Sequence, residues 1–229
     1  MSQQFLKLIQ RGATAEIADA VGEDPTLLVW RDAQGISALM WSIYTGQAMV
    51  RDFLISARLR TEVEPDIFEA AASGDAESLR KILSATPQAA QSFAGDGWTP
   101  LHLAAAFGTP ESVKLLLESG APVGAVSKNP QTNQPLHAAL ALGRNPESIQ
   151  LLLSAEADPN ARQTGGYTAI FSAAAANRRD LAELLIAHGA DPSIQNDFGQ
   201  TAAGFARERN HTELADWLEG LSPQSTKTN

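Results

Sequence analysis

The side chains that most readily do chemistry are sparse in this sequence. It holds four histidines, His102, His137, His188 and His211, and no cysteine. Imidazole groups serve as metal ligands and general bases, whereas the lack of thiols excludes disulfides, thiolate metal sites and cysteine nucleophiles. No H-E-x-x-H, P-loop or G-x-S-x-G motif is present. We therefore predict no catalytic residue, no metal site and no cofactor.

The acidic residues do not form a recognisable acid–base site either. They outnumber the basic residues by 26 to 17, which gives a net charge of −9. Because they are scattered along the chain, a solvated surface explains them better than a catalytic pair does. The acidic balance argues against binding of nucleic acid, which needs a basic stripe, and fits a partner protein with basic patches.

The N-terminal segment and the rest of the chain lack long apolar runs. Residues 1–17 (MSQQFLKLIQRGATAEI) have no continuous apolar core of a signal peptide. No run approaches the ~18 apolar residues that suggest a transmembrane helix. We expect a cytoplasmic protein without membrane contact, and a secreted effector with an unrecognised signal stays open.

Short alanine-rich segments recur along the chain, and each ends at a glycine or an asparagine. The intervals between these ends are 34, 28, 34, 35, 34 and 33 residues. A period in this range is typical of repeat proteins, in which each unit packs on its neighbours. The residues that mark the seven repeats are Gly12, Gly46, Gly74, Gly108, Gly143, Asn177 and Asn210.

Each repeat has the pattern of two short helices. The first is alanine-rich, as in LHLAAAFG (101–108), and the second has larger apolar residues, as in PESVKLLLESG (110–120). Val113, Leu116 and Leu117 fall on one stripe of that second helix. Helices of this length are marginal alone in water, so they must stack on their neighbours. The sequence therefore predicts an all-α fold.

The segment TPLH at 99–102 indicates a structural role for its histidine. Thr99 is a favourable N-cap, Pro100 suits the first helical turn, and Leu101 points into the core. His102 follows at a position from which its imidazole can hydrogen-bond back toward the turn. Most other repeats have no histidine at the equivalent position. We therefore predict that His102 and His137 build turns.

Two segments resemble ankyrin repeats: DGWTPLHLAAAFGTPESVKLLLESGAPV (96–123) and GGYTAIFSAAAANRRDLAELLIAHGADP (165–192). The resemblance is strong over residues 96–220 and weaker over 1–95. It implies an ankyrin-repeat solenoid of stacked helix-turn-helix units with β-hairpin or loop fingers. It also implies that the chain binds proteins through its finger tips and first-helix face.

We predict a single repeat domain over residues 1–222 and a disordered tail over 223–229. The outer repeats are degenerate and carry more polar residues, as terminal caps do. The repeat boundaries are expected near 1–33, 34–62, 63–95, 96–130, 131–164, 165–197 and 198–222.

The interval between Gly46 and Gly74 is shorter than the others by about six residues. The missing residues belong to a finger. We expect ARLRTEVEPD (57–66) to link repeats two and three without a full hairpin and to mark either a bend or a subdomain boundary.

Repeat five departs from the pattern in two places. The loop that precedes Gln134 is two residues longer than the corresponding loop of the last repeat, and its surplus lies in SKNPQTNQ (127–134). Glu156 occupies the position at which Gly120 and Gly189 end their helices. A left-handed conformation there would cost a non-glycine residue about 1–2 kcal/mol.

The candidate binding residues lie where the repeat pattern leaves the residue type free. Trp98 and Tyr167 precede the capping threonines at the bases of fingers, and Phe198 lies at a finger tip. Exposed aromatic side chains are typical interface anchors, although the same rings can instead pack against neighbouring fingers. The full candidate set is Tyr44, Trp98, Phe107, Lys128, Asn129, Gln131, Asn133, Tyr167 and Phe198.

The sequence best fits a monomeric, non-catalytic module that binds another protein. We expect the contact in the groove formed by the fingers and first helices of repeats four to six. Two alternatives stay open: a small-ligand or peptide sensor that uses aromatic fingers as a stacking cage, and an enzyme with an unrecognised site. A tight thermal shift with one metabolite would favour the sensor, and a cluster of buried carboxylates or histidines would favour the enzyme.

Overall fold

The computed structural model describes residues 2–142 and 145–221, and in that part of the chain it is helical. It contains fourteen α-helices and no β-strand within these ranges, apart from an isolated bridge between Arg31 and Ser37. This confirms the predicted all-α fold. The helices are α1 (Ser2–Gln10), α2 (Thr14–Glu23), α3 (Ala38–Tyr44), α4 (Ala48–Arg60), α5 (Ile67–Ser73), α6 (Ala76–Ala85), α7 (Pro100–Phe107), α8 (Pro110–Glu118), α9 (Pro135–Ala141), α10 (Pro146–Ser154), α11 (Ala169–Ala175), α12 (Arg179–Ala187), α13 (Ala202–Glu208) and α14 (Thr212–Leu221).

The helices begin and end where the local sequence predicts. The Thr99 hydroxyl accepts the backbone N–H of His102, and Pro100 occupies the first turn of α7. Left-handed residues follow α8 and α12, with φ of 79° at Gly120 and 90° at Gly189. Glu156 adopts the same left-handed conformation, with φ of 66°. The short helices are thus delimited by their own caps.

The contacts divide the chain into two compact units. The first is Met1–Ala121, which contains α1 to α8, and the second is Pro122–Asn229, which contains α9 to α14. In the first unit, helices α1, α3, α5 and α7 pack in series, while α2 packs on α4 and α6 on α8. In the second, α9, α11 and α13 pack in series. The single domain over 1–222 and its boundaries stay predictions, and the predicted tail at 223–229 lies outside the described residues.

Small residues on the first helix of each pair allow close packing. Alanines in α5 and α11 are fully buried, among them Ala70, Ala71, Ala173 and Ala174. The second helices contribute larger buried leucines, such as Leu79 and Leu152. Burial of these apolar groups holds together helices that are too short to persist alone.

The fingers are tight turns, each closed by a backbone hydrogen bond between the ends of the turn. In four fingers the bonded residues are four positions apart: Asp32 to Ile36, Ala94 to Trp98, Gln163 to Tyr167 and Asn196 to Gln200. In repeat five the bond joins Ser127 to Asn133, six positions apart. The two surplus residues predicted for this loop are therefore accommodated inside the turn.

The link between repeats two and three forms no finger. Helix α4 ends at Arg60 and α5 begins at Ile67. The turn before this gap lies directly against the turn after it, since a Cβ placed on Gly95 would lie 1.7 Å from the carbonyl oxygen of Gln34. The structure has no hairpin at 57–66, as predicted, but residues 57–60 belong to α4 and the link itself covers only 61–66.

Candidate functional site

The buried histidines hold the turns at the starts of their helices. His102 Nδ1 accepts the backbone N–H of Thr99 at 3.3 Å. His137 Nδ1 accepts the backbone N–H of Gln134 at 3.2 Å, so its Nε2 carries the proton and donates to the Ala161 carbonyl at 3.0 Å. Burial lowers the pKa of His137, which keeps this arrangement neutral. Both histidines therefore support the turns, as the sequence predicts.

The other two histidines each place Nδ1 within hydrogen-bond distance of a backbone carbonyl oxygen. His188 Nδ1 lies 2.9 Å from the Leu184 carbonyl oxygen, and His211 Nδ1 lies 3.0 Å from that of Ala174. Among residues 2–142 and 145–221, no group of three or more histidine, aspartate or glutamate side chains is placed to hold a metal ion.

The first aromatic cluster, defined as Tyr44, Trp98 and Phe107, lies in the first compact unit. The Tyr44 and Phe107 ring centroids are 5.5 Å apart, and those of Trp98 and Phe107 are 6.1 Å apart. All three side chains are half-buried. The structure therefore brings three of the predicted binding residues together, and they pack on one another while keeping part of each ring in solvent.

Asp96 fixes the polar edge of this cluster. The Tyr44 hydroxyl donates to the Asp96 carboxylate, which also accepts the backbone N–H of Trp98 at 3.1 Å. Burial, reinforced by the negative charge of Asp96, raises the pKa of Tyr44 above its usual value. The phenol therefore remains a neutral donor at physiological pH and orients its ring rigidly.

The second aromatic cluster, defined as Tyr167, Phe171, Phe198 and Phe205, lies in the second compact unit. The Tyr167 ring centroid is 5.3 Å from that of Phe171, 5.6 Å from that of Phe205 and 6.4 Å from that of Phe198. Phe171 is 2% exposed, whereas Phe198 is 71% exposed. The cluster thus runs from the core to the tip of a finger, and Tyr167 joins its two ends.

An arginine covers another part of this cluster. The Arg209 guanidinium lies 3.7 Å from the centroid of the Phe205 ring, a cation–π geometry. Phe205 and Phe171 were not among the predicted site residues. Their shared spacing of 34 residues was the available signal, because it places them at nearby positions in successive repeats.

The long finger of repeat five is hydrogen-bonded to the next finger. Thr164 donates its backbone N–H to the Gln131 carbonyl at 3.0 Å and its hydroxyl to the Pro130 carbonyl at 2.6 Å. Within the finger, the Asn129 side chain accepts from the Ser127 hydroxyl at 2.9 Å and from the Gln131 backbone N–H at 3.1 Å. The loop is therefore ordered by hydrogen bonds.

The structure separates the predicted contact residues of this loop into two groups. Lys128 and Gln131 are exposed and Asn129 is half-buried, so all three present surface. Asn133 is only 6% exposed, and its backbone N–H donates to the Ser127 hydroxyl at 3.0 Å. The expectation of a contact role for Asn133 is corrected: it closes the base of the finger.

Sequence reasoning missed a buried ion pair between Arg58 and Glu69. Arg58 Nη2 donates to Glu69 Oε1 at 2.9 Å, and Nη1 lies 2.8 Å from Oε2. Arg58 also donates to the Leu28 carbonyl through Nε and Nη2, at 2.9 and 2.7 Å. These are the only charged residues classed as buried in the part of the chain that the structure describes.

Glu69 also caps the helix on which it lies. Its carboxylate accepts the Asp66 backbone N–H at 3.0 Å, while Asp66 accepts the Glu69 backbone N–H at 2.9 Å. The sequence DIFE at 66–69 carries this capping-box signal. The role of Arg58 has no such local signal, because its partners lie 11 and 30 residues away.

No helix among the described residues is both long and apolar enough to cross a bilayer.

Comparison with known proteins gives a family match and several partial relatives. A family model described as ankyrin repeats (3 copies) matches residues 67–163 and 141–226, well over half of the chain. The chain is 37% identical over 132 residues to human neurogenic locus notch homolog protein 4. The aligned region covers 57% of this chain and 6% of that protein.

Two further relatives show the same partial overlap. The rice E3 ubiquitin-protein ligase XB3 is 38% identical over 102 residues, covering 44% of this chain and 22% of the ligase. The rat ankyrin repeat and SAM domain-containing protein 6 is 35% identical over 126 residues, covering 52% of this chain and 13% of that protein. The chain thus spans less than a quarter of each of these three relatives.

Proposed function

The chain belongs to the ankyrin-repeat family, and from that premise we propose that it binds partner proteins through two surfaces: the first aromatic cluster in one compact unit, and the second aromatic cluster with the long finger of repeat five in the other. Ankyrin repeats are generally non-catalytic protein–protein interaction modules. In this proposal the anchors are Tyr44, Trp98 and Phe107 in the first cluster, and Tyr167 and Phe198 in the second. Lys128, Asn129 and Gln131 add polar contacts.

The exposed ring of Phe198 carries this proposal. It lies in a turn, is 71% exposed and has a half-buried aromatic neighbour in Tyr167. Full burial of a phenylalanine side chain contributes about 1.5–3 kcal/mol. In the folded chain most of the Phe198 ring stays in water, so most of this free energy is still available to a binding partner. An aromatic side chain held on a rigid base loses little further entropy on binding, so it suits an interface anchor.

The charge of the chain supports the choice of partner chemistry. The net charge of −9 is acidic for 229 residues, and complementary charge speeds and orients association. We therefore expect a partner with a basic surface. The small-ligand sensor is less well supported, because Trp98 and Tyr167 pack against neighbouring aromatic side chains at 6.1 and 5.6 Å rather than enclosing an open cage.

Replacing Phe198 tests this proposal with little risk to the fold. Partners are first identified by cross-linking mass spectrometry in cells of the native organism, and the purified partner is then titrated calorimetrically. We expect Phe198→Ser to weaken binding by about tenfold or more without changing the melting temperature. A simultaneous Trp98→Ala and Tyr167→Ala substitution should weaken it further, although the lost ring contacts also reduce stability.

Met49→Ser is the matched control, because Met49 is 75% exposed and lies on α4, outside both aromatic clusters and the long finger. It should leave the affinity unchanged. Wild-type affinity in the Phe198→Ser variant, with cross-links far from both clusters, would refute the proposed surface.

A further inference from the structure

A groove of about 540 Å³ separates α4 from α6 in the first compact unit. In the same unit α2 packs on α4 and α6 packs on α8, so the second helices are otherwise in contact. The groove lies on the side of these second helices, and none of the proposed binding residues lines it. It is therefore a surface distinct from the aromatic clusters.

The missing finger accounts for this opening. The link at 61–66 is too short to form a finger, and it passes directly from the end of α4 to α5. Arg58, near the end of α4, reaches across to Glu69 in α5 and closes the base of the opening. The ion pair thereby joins the end of α4 to the start of α5 at the base of the groove.

One wall of the groove is apolar. Ile55 and Leu59 lie one turn apart on α4, and Val63 and Pro65 of the following link continue the wall. Residues four positions apart lie on the same face of a helix. Leu59 is 75% exposed, which is unusual for a large aliphatic side chain that lines a concave surface.

The facing wall is acidic. Asp75 and Glu77 line it together with Lys81, whose Nζ reaches Glu64 Oε1 in the link at 2.7 Å. Arg58 adds no net charge, because Glu69 neutralises it. The carboxylates therefore exceed the cations, and a cationic ligand is favoured.

We propose that this groove binds an amphipathic helix of a partner protein, with an apolar stripe against Leu59 and flanking lysine or arginine side chains against Asp75 and Glu77. The groove is lined by α4, α6 and the irregular link at 61–66, and no β-strand lines it, so it offers no sheet edge to which a strand could be added. Helix-in-groove recognition is the mode that remains for such a surface. The acidic wall repels nucleic acid and anionic lipid, which excludes them as favoured occupants.

Synthetic peptides of defined sequence test the proposal directly. The probe is a fluorescein-labelled helical peptide of leucine and lysine, with leucines at helical spacing, and its counterpart carries glutamate in place of lysine. Binding to the full chain is followed by fluorescence anisotropy. We expect the lysine peptide to bind at least about tenfold more tightly than the glutamate peptide, because only the former complements the acidic wall.

Variants on one helix locate the binding. Leu59→Ser should weaken binding of the lysine peptide by about tenfold, and Glu77→Lys by roughly threefold to tenfold. Met49→Ser is the matched control, because Met49 lies on the same helix, is also 75% exposed and does not line the groove. It should bind like the wild type, as should Phe198→Ser, which alters the aromatic surface proposed above.

Three outcomes would overturn the assignment. One is unchanged binding in Leu59→Ser, and another is an equal loss in Met49→Ser, which would indicate non-specific adsorption to an acidic protein. The third is concentration-dependent self-association in sedimentation that Leu59→Ser abolishes, since a second copy of the chain would then be the occupant. Circular dichroism melts confirm that each variant is folded before its binding is compared.

Discussion

The junction between repeats two and three and the long finger of repeat five both depart in length from the other repeats, but the structure accommodates them differently. The junction lacks a finger and is closed by the buried Arg58–Glu69 pair. The long finger gains two residues and is held by exposed hydrogen bonds from Thr164 to Pro130 and Gln131.

The difference follows from where each change falls. The short link brings the end of α4 close to the start of α5, where Arg58 and Glu69 satisfy each other away from water. Extra residues in a finger remain at the surface, where water and neighbouring turns satisfy the backbone. A deletion in this fold therefore reaches the core, whereas an insertion is confined to the loop.

Breaking the buried pair should have the largest effect on stability. Glu69→Gln removes one charge and leaves Arg58 buried without its counterion, so we expect a loss of about 3–5 kcal/mol in the free energy of unfolding. Urea denaturation measures it. The double variant Arg58→Met and Glu69→Leu should recover much of this loss, because neither charge is then buried.

An exposed ion pair supplies the control for this substitution. Asp216→Asn breaks the Arg207–Asp216 contact, whose side chains are 43% and 68% exposed, and should change stability by less than about 1 kcal/mol. A comparable loss in Glu69→Gln and Asp216→Asn would show that burial does not distinguish the junction.

Acid should weaken the junction through the same carboxylate. Burial alone raises the pKa of Glu69, but hydrogen bonds and charge from Arg58, with hydrogen bonds from Ser37 and the Asp66 backbone, outweigh it and hold the pKa below its usual value. A lowered folded-state pKa stabilises the protein above the unfolded pKa, and this stabilisation is lost as pH falls through the folded pKa.

The free energy of unfolding should therefore decline as pH falls below about 5. The Arg58→Met and Glu69→Leu double variant keeps the exposed carboxylates but lacks this one, so its decline should be shallower. The free energy of unfolding of both proteins is measured by denaturation from pH 7 to pH 3. If it declines equally in the two proteins, Glu69 does not cause the loss of stability in acid.

The smallest effect is expected in repeat five. Glu156 holds a left-handed φ of 66°, whereas Gly120 and Gly189 supply that conformation after α8 and α12. Glycine adopts it without a Cβ penalty, so Glu156→Gly should stabilise the protein by about 1 kcal/mol. Differential scanning calorimetry should record a raised melting temperature, and Gly120→Ala should lower it. An unchanged or lower midpoint for Glu156→Gly would contradict this assignment.

Much of the fold was predictable because its signals are local. The caps at Thr99 and Pro100 and the left-handed glycines after α8 and α12 depend on a few neighbouring residues. The missing finger and the lengthened loop were visible as departures from the period. Side-chain partners were not predictable in the same way: Arg58 bonds to residues in two other segments, and Asn133 is buried by contacts that spacing alone does not specify.

The candidate site shows the same division between features set by local sequence and features set by distant contacts. The sequence by itself determined the repeat, the helix pairs and the structural roles of His102 and His137, because periodicity and capping act over short distances. Only the tertiary structure decided that Tyr44, Trp98 and Phe107 form one cluster, that Phe198 stays exposed, and that Arg58 and Glu69 are buried. Those outcomes depend on how close the helices and turns approach one another, and that approach is set by packing across the whole unit.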